Sequence, residues 1–302
     1  MLDTLQIMTL LELPRVGKAT VRQMLGLLDG PVNDLRDLYE AMLACKSCLK
    51  RLPAPDYGSL ASARERAVRQ LEQCAALGIR ALGFFDEPFP ARLKTIPKPP
   101  VLLYAKGNID CLQAPASAAV AGTRSPSEYG ARIAFKYGEY LARSGLAVVS
   151  GLALGCDEHA HRGCLAAGGR TVAVLAHGLD MVYPFRNREL ARQIETGSGC
   201  LLSEYKLGSV PESNMYVERD RLQVGLADGL IVIETGITGG TMHTVGFCLE
   251  QGKGLGCFDH PRKFLKSNEK AAGNRYLIGQ GKAVPLFDRG SLDSFVAHIT
   301  SR

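Results

Sequence analysis

The sequence predicts an α/β protein in two parts, a parallel sheet with helices on both faces preceded by a small all-α domain. Three observations carry this reading. Residues 1–77 keep helical spacing throughout and the texture changes at Ile79, which divides the chain into 1–77 and 78–302. Beyond Ser117, short apolar runs recur at Ala118–Ala121, Leu146–Val149, Val172–Leu175, Cys200–Leu202, Leu230–Ile233 and Leu255–Phe258. Segments with helical spacing, such as Tyr129, Ile133, Tyr137 and Leu141, separate them, and that alternation belongs to a parallel sheet buried on both sides. With 302 residues, 46% of them hydrophobic, neither part is short of core material.

In the helical part, Leu13-Pro14-Arg15-Val16-Gly17-Lys18 precedes the apolar positions Met24, Leu25, Leu27 and Leu28. This resembles a helix-hairpin-helix or the related SAM-like bundle, with Arg15 where such hairpins usually carry their first Gly. The turn then reads chiefly as a helix–helix corner. Cys45 and Cys48 have the spacing of half a zinc site, but no second CxxC or HxxxH follows in this part, so no metal is expected. Ser59–Leu77 reads as an amphipathic helix, with Ala63, Ala67, Leu71 and Cys74 on one face and Gly78 as its stop. A Pro-rich stretch then leads into an apolar strand at Val101–Ala105.

Composition bounds the rest. Thirty-six Lys and Arg against 30 Asp and Glu permit a polyanionic partner without announcing one. The nine Cys are scattered through a chain too large to need staples, which implies a reduced, cytoplasmic protein. The N-terminal stretch is too broken by polar residues for a signal peptide, and no run approaches the roughly 18 apolar residues of a membrane span.

The predicted strands end in loops rich in Gly and polar residues, and ligands of such sheets gather at those ends. The first is Val120–Gly130, VAGTRSPSEYG. Gly122 permits close backbone approach, Arg124 brings a fixed fork of donors, and the helix that follows turns N–H groups toward the loop. Further loops are Ser150-Gly151-Leu152-Ala153, His177-Gly178-Leu179-Asp180 with Tyr183-Pro184, and Glu234–Thr241. In the last, Thr238-Gly239-Gly240-Thr241 would expose several backbone N–H groups to one phosphate. The chain lacks both GxGxxG and GxxxxGK[ST], so neither a nicotinamide cofactor nor NTP hydrolysis is supported. Phosphate binding without a cofactor remains.

The motifs resemble, in order and spacing over residues 79–287, those of the DNA-processing protein A (DprA/Smf) family. Matching stretches are Phe89-Pro90, Pro99-Pro100, Gly122-Thr123-Arg124 with Tyr129-Gly130, Ser150-Gly151-Leu152-Ala153 with Asp157 and His161, Gly178-Leu179-Asp180 with Tyr183-Pro184 and Asn187, Ser203-Glu204-Tyr205, Arg219 with Arg221, and Gly273-Asn274. The resemblance implies an extended Rossmann-like domain behind a SAM-like one, binding single-stranded DNA, dimerising, and helping to load a RecA-type recombinase during DNA uptake and recombination, without catalysis. It implies that Gly122, Thr123 and Arg124 hold a phosphate and that Arg219 and Arg221 line the same basic pocket; the strand-end loops place Gly151, Gly239, Gly240 and Thr241 on the same rim, with Arg186, just past Tyr183-Pro184, as a candidate beside them. Arg188 is a further candidate.

The chain departs from the family pattern in three places. Tyr216-Val217-Glu218-Arg219-Asp220-Arg221 replaces Phe-Pro-x-Arg-Asn-Arg and sets two carboxylates beside the arginines. Thr238–Thr241 replaces a Ser-Gly-Ser loop, and the winged helix that ends many members is not recognised. Cys156–Cys164 holds metal-type residues that the resemblance explains as the start of a helix, so no metal or thiol chemistry is expected there. Two alternatives share the fold. A nucleotide N-glycosidase would need a catalytic Glu where Thr244 stands, and a nucleotide sensor would suit a pocket carrying Glu218 and Asp220.

Overall fold

In the computed structural model, which describes residues 1–28, 30–261 and 269–301, four helices precede the sheet. These are α1 (Thr4–Leu11), α2 (Lys18–Leu25), α3 (Leu35–Lys46) and α4 (Tyr57–Ala76). Asp3, Asp34 and Asp56 cap α1, α3 and α4 by accepting backbone N–H groups of the first turn. Leu13 and Val16 are buried in the corner between α1 and α2. Gly78, at φ +67°, closes α4 in the left-handed conformation that glycine adopts without a Cβ clash.

The remaining elements are β1 (Ile79–Gly83), α5 (Ala91–Lys94), β2 (Leu102–Gly107), β3 (Ser117–Ala121), α6 (Glu128–Arg143), β4 (Ala147–Ser150), α7 (Cys156–Ala166), β5 (Thr171–Leu175), α8 (Arg188–Thr196), β6 (Cys200–Ser203), α9 (Ser213–Gly225), β7 (Gly229–Val232), α10 (Thr241–Glu250), β8 (Gly254–Phe258), α11 (Ala272–Gly279), β9 (Val284–Leu286) and α12 (Arg289–Thr300). The strands form one sheet in the order β1-β2-β6-β5-β4-β3-β7-β8-β9. From β6 to β9 all pairings are parallel, whereas β1 pairs with β2, and β2 with β6, antiparallel. The expected all-parallel sheet is thus extended by an antiparallel pair, and β9 is a further strand that apolar runs did not mark. A two-residue period explains it: β9 is an edge strand with Val284 exposed, Pro285 half-buried and Leu286 buried.

Side chains along each central strand alternate between two cores. On one face, Ala119 and Ala121 of β3, Val172 and Val174 of β5 and Leu230 and Val232 of β7 pack with α5, α9, α10 and α11. On the other, Ala118 and Val120 of β3 and Ile231 of β7 pack with α6, α7 and α12. That same face continues through Ala173 and Leu175 to α8 and the four N-terminal helices, which share one core with Leu102 and Tyr104 of β2. Polar contacts tie the helical segment down further, with Lys18 Nζ 3.3 Å and Lys206 Nζ 2.8 Å from Glu204 and Glu12 respectively.

After β6 the chain returns to β7 beside β3, and β8 and β9 then add in the opposite direction. The two strands that are adjacent in the sheet at this reversal, β3 and β7, therefore send their next loops to opposite faces and leave a crevice at their carboxyl ends.

Candidate nucleic-acid interface

A cleft of about 680 Å³ occupies that crevice, with Gly122, Thr123 and Arg124 after β3, Thr235, Gly236, Gly239 and Gly240 after β7, and one face of α9 among its walls. Gly122 is required by packing, since a Cβ there would stand 2.5 Å from Cys156 Sγ at the start of α7. Asn274 staples the β7 and β8 ends together: its Nδ2 donates to the Ile233 carbonyl at 2.9 Å and the Phe258 carbonyl at 3.0 Å, and its Oδ1 accepts the Thr235 N–H at 3.0 Å. Gly239, Gly240 and Thr241 line the cleft at the start of α10, whose N-terminus has no side-chain cap.

Helix α9 presents Ser213, Tyr216, Asp220 and Gln223 to the cleft, at offsets of three, seven and ten residues that fall on one helical face. Arg124 is exposed, with its guanidinium 5.1 Å from the centroid of the Tyr216 ring. Arg219 lies at the cleft floor, only 6% exposed. It donates to the Val174 carbonyl, and its Nε stands 3.2 Å from Asp220 Oδ1. Gly151 makes room for it, since a Cβ there would meet Arg219 Nη1 at 2.0 Å. The Gly151 N–H donates to Asp157 Oδ2 at 3.0 Å, so this glycine supports the floor and does not itself line the cleft. Burial pushes the Asp157 carboxyl up to about 6, against the pull of Arg219. It pushes Asp220 up as well, while Arg219 and the Thr244 hydroxyl, which donates to it at 2.9 Å, draw it down.

Arg221 does not line the cleft. Two residues beyond Arg219 it points roughly 200° away around the helix, by the 3.6-residue period, so the two arginines cannot serve one pocket. Its Nη2 instead meets Glu204 Oε2 at 2.5 Å, in a buried pair that Lys18 joins. Glu218 also leaves the site and accepts from the Tyr205 hydroxyl at 3.0 Å, so only Asp220 of the two carboxylates flanks the cleft.

Arg186 is exposed in a second cleft of about 610 Å³, together with Arg124, Arg162, His159 and the start of α6. Arg124 is the wall between the two clefts. Arg162 is partly neutralised by Glu158 at 3.1 Å. Arg188 faces the exposed ring of Phe185, 4.5 Å from its centroid. Tyr216, Ser213 and His243 were not singled out in the sequence, yet the spacing of Ser213, Tyr216, Asp220 and Gln223 on α9 was a readable signal for the first two. Among the described residues no group of three or more His, Cys, Asp or Glu could hold a metal ion, and no helix is long and apolar enough to cross a membrane.

The fold and the position of the cleft define a doubly wound, Rossmann-like protein with its site at the topological switch point. A profile of the DNA recombination-mediator protein A family matches residues 80–295, and the chain belongs to that family. Protein Smf of Synechocystis is 36% identical over 215 residues, 70% of this chain and 53% of its own length. The DNA processing protein DprA of Streptococcus pneumoniae is 38% identical over 173 residues, 57% of this chain and 60% of its own. The chain thus spans little more than half the length of these relatives. The X-ray structure of DprA from Streptococcus pneumoniae superposes with a TM-score of 0.79 at 25% identity, covering 97% of this chain and 98% of that one. A structure of DNA processing protein A from Helicobacter pylori, solved to describe how that protein binds single-stranded DNA, gives 0.63 at 26% identity, over 74% and 96% of the two chains.

Proposed function

We propose that the chain is a single-stranded DNA-binding protein of DNA uptake and recombination, with the strand crossing both clefts over Arg124. The carrying observation is the exposed Arg124 guanidinium against the Tyr216 ring, at the wall shared by the two clefts. An arginine fork grips phosphate while the aromatic beside it offers a face for a base, and neither reads sequence. Gly122, Thr123, Gly239, Gly240 and Thr241 supply backbone on one side, and Arg186 continues the positive rim on the other. Arg219 acts from the floor, where Asp220 balances its charge.

In this reading the protein works in the cytoplasm, protects single strands and hands them to a RecA-type recombinase, binding rather than catalysing. We place a second copy of the chain against β9, an edge strand among the described residues, where Phe287 is 63% and Val284 46% exposed. Sedimentation as a monomer at micromolar concentration would remove the dimer from this picture, and unchanged RecA filament growth on oligonucleotides would remove the hand-over.

The central test is retention of a labelled oligonucleotide as salt rises. Affinity is expected to be sequence-tolerant and to fall with a log–log slope of about −0.7 for each phosphate neutralised. Arg124→Glu should weaken binding by an order of magnitude or more, about 1.4 kcal/mol per tenfold. A protein stabilised in a thermal-shift screen by mononucleotides alone, with no oligonucleotide retained at low salt, would be a nucleotide sensor instead.

A further inference from the structure

We propose that Glu234 is a positioning residue for DNA binding, clamping the Thr123–Ser127 turn at both ends so that Arg124 meets the strand in one geometry. The proposal rests on the binding function given above. Glu234 follows β7 and is fully buried. Its backbone carbonyl accepts the Thr123 N–H at 2.7 Å. Its carboxylate reaches the far end of the same turn, where Oε2 accepts the Ser127 N–H at 2.7 Å and Oε1 the Ser127 hydroxyl at 2.6 Å. The Ser127 oxygen in turn accepts the Gly130 N–H at 2.9 Å and so caps α6.

One residue therefore holds both feet of an arch whose crown is Arg124-Ser125-Pro126. Helix α6 is shaped around the carboxylate, because a Cβ on Gly130 would lie 2.4 Å from the Glu234 carboxyl carbon. The charge is placed where a helix N-terminus stabilises an anion. His260 packs beside it, with Nε2 3.7 Å from Glu234 Oε1 and donating to the Ile233 carbonyl at 3.1 Å, and burial pulls its pKa down while the neighbouring Glu234 pulls it up. The chain of contacts matters for binding because a long arginine on a loose turn must be ordered when the strand arrives, whereas on a fixed turn most of that ordering is already done.

The test uses the full chain with Glu234→Gln and Ser127→Ala, each made alone and in an Arg124→Ala background. Oligonucleotide affinity, thermal midpoint and amide exchange at Thr123 and Ser127 are measured for each. Glu234→Gln keeps one acceptor but turns an amide toward the second Ser127 donor, and Ser127→Ala removes one donor without touching the buried glutamate. Both are expected to speed exchange at the turn and to weaken binding about tenfold when Arg124 is present. Without Arg124 the same changes should cost less than about twofold, since the group being positioned is gone. Equal losses in both backgrounds, or no loss in either, overturn the proposal. Should Glu234→Gln fail to fold, Ser127→Ala decides by the same comparison. A wild-type protein that retains no oligonucleotide refutes the binding function itself, and unchanged exchange at Thr123 and Ser127 in the variants refutes the clamp separately.

Discussion

Arg219 and Arg221 are two residues apart, yet they face different surroundings and should respond differently to substitution. Arg221 and Glu204 form a pair whose side chains are 9% and 2% exposed. Arg221→Met removes the closest partner of the buried Glu204 carboxylate and leaves it Lys18 at 3.3 Å, with Arg22 within electrostatic reach, which predicts a loss of about 1–3 kcal/mol in urea unfolding with oligonucleotide affinity of the folded protein unchanged. Asp157 predicts a pH effect. Its carboxyl is raised from 3.8 to about 6, so the stabilisation from its protonated form is complete below pH 3.8 and is lost as pH rises through 6. Buried His161, lowered from 6.5 to about 3, acts oppositely, stabilising above pH 6.5 and losing that contribution as pH falls toward 3. Asp157→Asn isolates the first: stability of the variant relative to wild type should rise by up to about 3 kcal/mol between pH 4 and 6.5. A flat difference across that range in chemical denaturation would contradict the assignment.

Helix α9 is the element on which the site depends, because it carries the cleft face and must stop where β7 begins. Lys253, just before β8, closes its C-terminus by donating to the carbonyls of Val224 and Gly225 at 2.8 Å each and of Ala227 at 2.5 Å. Burial lowers its pKa to about 8, and it still carries a proton through most of the neutral range. Lys253→Met should strand those carbonyls and lower stability by about 1–3 kcal/mol, with the salt dependence of binding unaltered. Of α9 the sequence marked Arg219, from its motif, and the structure puts that residue at the cleft floor. Arg221 was misassigned because a motif preserves order along the chain, whereas a helix turns alternate pairs of residues away from one another. Which side of α9 met the cleft depended on Leu222 and Val224 packing under the sheet.

At the scale of the whole molecule, the division at residues 77 and 78 is a boundary in sequence but not in the core. Leu10, Val21, Ala63 and Ala67 of the helical segment are buried in one cluster with Leu102 and Leu175 of the sheet and Leu179 of the loop after β5. A chain of residues 78–302 alone is therefore expected to expose an apolar sheet face and to aggregate or bind a hydrophobic dye. A soluble, cooperatively melting fragment would show instead that the two parts are separable.

The sequence by itself determined the identity and order of the central strands and helices, the Gly-rich loops at the strand ends, and the place of Arg124 in the loop after β3, which lines the cleft. Periodicity and turn chemistry are local properties, and each element's apolar face is written in its own spacing. Tertiary structure alone decided that β2 adds antiparallel to β6 and β1 antiparallel to β2, that Arg221 leaves the cleft for Glu204, that Tyr216 stands behind Arg124, and that Glu234 joins two ends of a turn more than 100 residues away. Those outcomes depend on which distant surfaces bury one another, and burial across long loops is a property of the assembled sheet that no short stretch of sequence contains.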